Sequence, residues 1–130
     1  MKTEVLKEKY IKYNLTKEDV FKHQGGHYII ITRSGIEKIA AAENIFIRYE
    51  CIKCETNFAA VKAIAIKDTN TIETFGSALK GQGFKDGNTM SHYVLEMAQK
   101  RSFSRAVLQI TGMYELGCFG EDESEDFKKN

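Results

Sequence analysis

The stretch NFAAVKAIAIKDTNTIETFGSAL, residues 57–79, holds the pattern that decides the fold. Val61, Ala63 and Ala65 alternate with Phe58, Lys62, Ile64 and Ile66, the period of two expected of a strand. One face is therefore a row of small side chains, which a sheet offers where a helix must lie close against it. The polar join at Thr69-Asn70 leads into a second strand-like run, TIETFGSAL (71–79). Upstream, IFIRYECIKCE (45–55) alternates Ile45, Ile47, Tyr49 and Cys51 against Phe46, Arg48 and Glu50. Three such runs with short joins predict an antiparallel meander.

On the N-terminal side, residues 3–13 read as a short amphipathic helix. In LTKEDV, Thr16 and Asp19 have capping-box spacing, and Leu15 and Val20 are placed as a hydrophobic staple, predicting a further helical turn. HYIIIT (27–32) is a β-branched strand after Gly25-Gly26. Ser34-Gly-Ile-Glu37 is a second capping box, opening a helix that ends near Asn44. On the C-terminal side, KGQGFKDGN (80–88) carries three glycines and is expected to be a mobile or binding loop. A long helix spans about Met90 to Met113. The order predicts an α+β domain: short N-terminal helices, a meander of three to four strands, and a long C-terminal helix across it, a β-β-β-α core.

The long helix reads as two-faced. Phe103, Ala106, Val107, Ile110 and Met113 share one side at the spacing of a core stripe. Arg101 and Arg105, four apart, stack on the opposite side with Lys100 on the flank. With Lys62 and Lys67 on the sheet and Arg48 nearby, they form a candidate groove for phosphates, with Tyr49, Tyr93 and Phe84 as aromatic platforms. Val94, Met97 and Leu108, near the cationic side, suit a contact between subunits.

Composition agrees with a single globular domain of 130 residues, 42% hydrophobic and 28% charged. Residues 1–119 hold 17 Lys and Arg against 13 Asp and Glu, whereas EDESEDFKKN (121–130) holds five acids and two lysines. The expected division is a domain over 1–120 and an acidic, disordered tail over 121–130. No run reaches the roughly 18 apolar residues of a membrane span, and no secretory signal pattern opens the chain. Three cysteines, an odd number, fit a reducing compartment, so a cytoplasmic setting is expected.

The residues point away from catalysis. His23, His27 and His92 are scattered, and no Ser-His-Asp, Cys-His or paired-carboxylate arrangement is legible. Gly81, Gly83 and Gly87 lack the spacing of a nucleotide cradle. Cys51-x-x-Cys54 has no second pair to complete a zinc site, and residues three apart on a regular strand face opposite ways. The expectation is a protein without catalytic residues, metal or cofactor.

The run Ala98-Gln-Lys-Arg-Ser-Phe-Ser-Arg105-Ala-Val-Leu, followed by Gly112 and Leu116-Gly117-Cys118, resembles the signature helix of the Rad fifty-two superfamily of single-strand annealing proteins. Ser104-Arg105-Ala106-Val107 stands where that family has Lys-Arg-Ala-Leu, and Leu116-Gly117-Cys118 lacks the family's asparagine. Thr71-Ile-Glu73-Thr-Phe-Gly76 is similar to the family's last strand. The likeness is nearest to phage and mobile-element members of the Erf and Red-beta kinds. It implies an oligomeric ring or filament that holds single-stranded DNA by its backbone for annealing in homologous recombination, in a bacterial host cell. On that resemblance Arg101 and Arg105 contact phosphate, supported by Lys100, Lys62, Arg48 and Lys67. The competing expectation is a small interaction or inhibitor protein that keeps this fold and binds a host protein.

Overall fold

The computed structural model describes residues 2–22, 28–81, 87–89 and 93–123. The expected α+β architecture is present, with three α-helices and two three-stranded sheets among the described residues. The larger sheet is the anticipated meander, β3 (Phe46–Cys54), β4 (Phe58–Lys67) and β5 (Asn70–Leu79), in that order and antiparallel throughout. Its helix-side face carries the small residues: Ala59, Val61, Ala63, Ala65 and Ala78 are buried, as are Ala98 and Ala106 of the helix α3 (Val94–Ile110) lying on it. With so little side chain between them, backbone meets backbone. Thr74 Oγ1 donates to the Ser102 carbonyl at 2.8 Å, a bond from strand to helix.

The second sheet was not legible in the sequence. It consists of β1 (Val20–Lys22), β2 (Ile29–Ile31) and β6 (Cys118–Gly120), in that order. β1 pairs antiparallel with β2, and β6 runs parallel to β2. Only Ile29–Ile31 of the expected strand over 27–32 is described as such, and residues 23–27 lie outside the described set. The sheet, α1 (Lys2–Lys12) and α2 (Arg33–Ala42) enclose a core of Tyr13, Leu15, Ile31, Ile36, Ile39, Met113 and Cys118. Phe103, Val107 and Leu108 of α3 complete it. The long helix thus has the large sheet on one side and this core on another.

Several local expectations are corrected. Thr16 and Asp19 do interact, since Asp19 Oδ2 accepts from Thr16 N at 2.8 Å, but the turn leads into β1 rather than a helix. The cap of α2 is Thr32, which accepts from Gly35 N at 3.3 Å, so the helix begins before the Ser34 box. Two left-handed glycines, Gly112 (φ 76°) and Gly117 (φ 81°), bracket a 3-10 turn over Met113–Leu116 and end α3 before Met113. The domain also continues past residue 120: Glu121–Glu123 form a 3-10 turn whose Glu123 is buried. That segment is packed against α3 and is no part of a free tail; residues 124–130 lie outside the described set. Among the described residues, no helix is long and apolar enough to cross a membrane.

Candidate functional site

The arginines of α3 are held by the protein's own backbone and side chains. Arg101 is only 3% exposed. Its guanidinium donates to the Ser77 carbonyl (2.8 Å), the Asn88 carbonyl (2.8 Å), Asn88 Oδ1 (3.2 Å) and the Asp122 carbonyl (3.2 Å). It rivets β5, the segment at Asn88 and the C-terminal turn to the helix. Arg105, half-buried, pairs through Nε with Glu123 Oε1 at 3.2 Å and donates from Nη1 to the Phe75 carbonyl at 2.7 Å. Ser104 donates to Asp122 Oδ2 at 2.9 Å. The helical wheel assumed an open side, whereas the 120–123 segment covers it. Lys100 alone of the three cations is exposed, on a strip with Glu96 and Gln99.

The other expected ligands are also divided. Lys67 lies at the end of β4 on the helix side, 3.7 Å from Glu43 and 3.4 Å from Asp68. Tyr49 shares that side, where burial raises its pKa and the nearby Arg33 opposes the shift. Phe84 lies outside the described residues. Val94 and Leu108 are buried and Met97 packs against the cluster of Ala59, Val61, Ala78 and Ala98, so the expected subunit contact is part of the protein's own core. The six cations therefore line no common groove; Arg48 and Lys62 alone share a surface.

That surface is the face of the large sheet turned away from α3. Register places its residues in rows across the strands: Phe46, Ile66 and Thr71; then Arg48, Ile64 and Glu73; then Glu50, Lys62 and Phe75. Among the described elements no helix covers it. Phe46 is 59% and Phe75 54% exposed, and Leu79 and Ile52 are also exposed. Exposed apolar side chains gathered on one face mark a candidate interaction surface. Lys62 Nζ sits between Glu50 (3.3 Å) and Glu73 (3.6 Å), which holds its ammonium over the sheet. Arg48 is exposed and has no acidic partner among the described residues. Phe46 and Phe75 were not singled out from the sequence, although the alternation that assigned Arg48 to this face assigned Phe46 to it as well.

The cysteine pair is arranged unexpectedly. Register shifts between Cys51 and Lys53, so Cys51 stands opposite Val61 and Cys54 opposite Ala59. Val61 and Ala59 point the same way, hence the bulge at Ile52 brings both cysteines to one side of the strand, where strict alternation would separate them. Both are exposed, and among the described residues no three or more His, Cys, Asp or Glu side chains could hold a metal ion. Cys118, by contrast, is buried in the core, which pushes its thiol up to about 11.

No protein-family model matches the chain, and neither does any curated protein or solved structure.

Proposed function

We propose that this protein binds single-stranded DNA on the open face of its large sheet, as an oligomeric annealing protein of a phage or mobile element. The observation that carries the reading is the exposure of Phe46 and Phe75 on the face that also holds Arg48 and Lys62, which no described helix or strand covers. Aromatic faces stack on bases whatever the sequence, while Arg and Lys neutralise the backbone. The roles the resemblance gave to Arg101 and Arg105 pass to Arg48 and Lys62. Assembly, in this reading, uses Tyr93 and Leu95, exposed where α3 begins.

The test is fluorescence anisotropy with a labelled oligonucleotide, run with light scattering and a strand-annealing assay. Phe46→Ala and Phe75→Ala should each weaken binding about fivefold or more, from a stacking contribution of about 1–3 kcal/mol per base. Light scattering should give a mass several times 14.8 kDa. Unchanged affinity in both variants removes the sheet face from the site, and a monomer that fails to anneal strands removes the ring or filament.

A second reading is favoured by the acids. Glu50 and Glu73 offset Lys62, leaving a face more apolar than cationic. Such a face also suits a protein partner, bound through Phe46, Phe75 and Leu79. Absence of any salt-dependent oligonucleotide binding selects that reading.

A further inference from the structure

A cleft of about 380 Å³ opens between α1, the small sheet and the turn after α3. Leu6, Tyr10, Leu15, Val20, Ile29 and Met113 line it, and almost no polar surface faces its interior. Water inside such a space finds few hydrogen-bond partners on its walls, so an apolar occupant displaces it favourably. The volume lies in the range of small-molecule sites. The polar groups of α1 on its border are the Thr3 and Tyr10 hydroxyls, the exposed Lys7, and Lys9, whose ammonium lies 5.6 Å from the Tyr13 ring centre. These borders suit an occupant with an apolar, unfunctionalised body and one terminal anionic group.

We propose that this cleft binds a free long-chain carboxylate, its alkyl chain among Leu6, Val20 and Met113 and its head at Lys7. The site lies on the small sheet, shares no residue with the face that carries Phe46 and Phe75, and stands or falls independently of DNA binding. Calorimetric titration with decanoate below its micelle concentration tests it. Saturable one-to-one binding in the micromolar range is expected. Decyltrimethylammonium, with the same tail and the opposite head charge, should bind several-fold more weakly. Lys7→Glu, an exposed substitution that leaves the core intact, should abolish that preference. Leu6→Asp should reduce binding of both ligands at least tenfold, with circular dichroism to confirm the fold. Equal affinity for the two ligands in the wild type, no saturable binding, or a Leu6→Asp variant of wild-type affinity each overturns the proposal. So does association only with lipid vesicles, which marks a membrane-facing surface, or a doubling of mass in the absence of ligand, which marks a contact between copies.

Discussion

Gly76 and Ala98 meet backbone to backbone: a Cβ added at Gly76 would stand 2.3 Å from the Ala98 carbonyl oxygen and 2.5 Å from Ser102 N. Those atoms belong to a helix backbone and cannot yield as a side-chain tip would. The gap between β5 and α3 is therefore set by the absence of one methyl group. Gly76→Ala should push the helix off the sheet and destabilise the fold by about 3 kcal/mol or more, beyond ordinary overpacking because backbone is what it strikes. Thr74→Val, which keeps the shape and removes the donor to Ser102, should cost about 1 kcal/mol. Denaturant midpoints of the two variants check the order; a Gly76→Ala protein of wild-type stability would refute the close contact.

Arg101 and Arg105 should separate in the same assay. Truncating Arg101 leaves the carbonyls of Ser77, Asn88 and Asp122 without their guanidinium donor. Each buried group left unsatisfied costs about 1–3 kcal/mol, so Arg101→Ala should be among the most damaging substitutions in the helix. Arg101→Lys should rescue little, since one ammonium cannot span acceptors held by a planar fork. Arg105→Ala should cost less, about 1–2 kcal/mol, because Glu123 keeps Tyr114 Oη at 2.7 Å and Gly120 N at 2.9 Å. Equal losses for the two alanine variants contradict this assignment.

The large sheet was legible because its signal is local. Alternation in 57–66 assigned each residue to a face, and the alanine row announced the helix. The arginines were misread because periodicity reports which residues share a side, and cannot report whether a distant segment covers that side. Glu121–Glu123, acidic and terminal, reads as solvated tail, yet the buried carboxylate of Glu123 is what Arg105, Tyr114 and Gly120 N require. The small sheet escaped for a related reason. Its strands are three residues long, and β6 pairs with β2 across most of the chain. The cysteine geometry was missed because a single bulge reverses the parity on which face assignments rest.

Acid should weaken the fold through two anchored carboxylates. Asp19 is held below the usual carboxylate range, chiefly by the hydrogen bond from Lys38 (2.7 Å) and also by Thr16, against the opposing effect of burial. Glu43 is lowered first by the Tyr13 hydroxyl, then by Lys12 and Lys67. A carboxyl whose folded pKa is depressed stabilises the fold fully above its unfolded value, about 4, and loses that contribution as pH falls through the lower folded value. Thermal midpoints should thus change little from these groups between pH 7 and 5 and drop below about pH 4. Lys38→Met should lower the midpoint at pH 7 by several degrees and make the acid decline shallower. Parallel curves for the variant and the wild type exclude Lys38 as the anchor.

The same logic of committed charges makes the DNA reading testable in the direction of gain. Lys62 is shared between Glu50 and Glu73, so a phosphate must compete with two carboxylates for it. All three side chains are on the outer face, and neither acid supports the core, since both are exposed. Glu50→Gln with Glu73→Gln should leave stability nearly unchanged, as surface pairs contribute about 0–1 kcal/mol. Freed of them, Lys62 adds a cation to a face that already has Arg48, so oligonucleotide affinity should rise. The slope of log affinity against log salt should steepen by up to about 0.7, the single-strand value for one added contact. Arg48→Ala should flatten the slope by a similar amount, whereas Arg105→Ala should leave it where it is, because Arg105 is committed to Glu123 and Phe75. Anisotropy titrations at several salt concentrations read all three. Should the double glutamine variant bind no better while Arg105→Ala loses slope, DNA runs along the helix after all and the sheet face belongs to a protein partner.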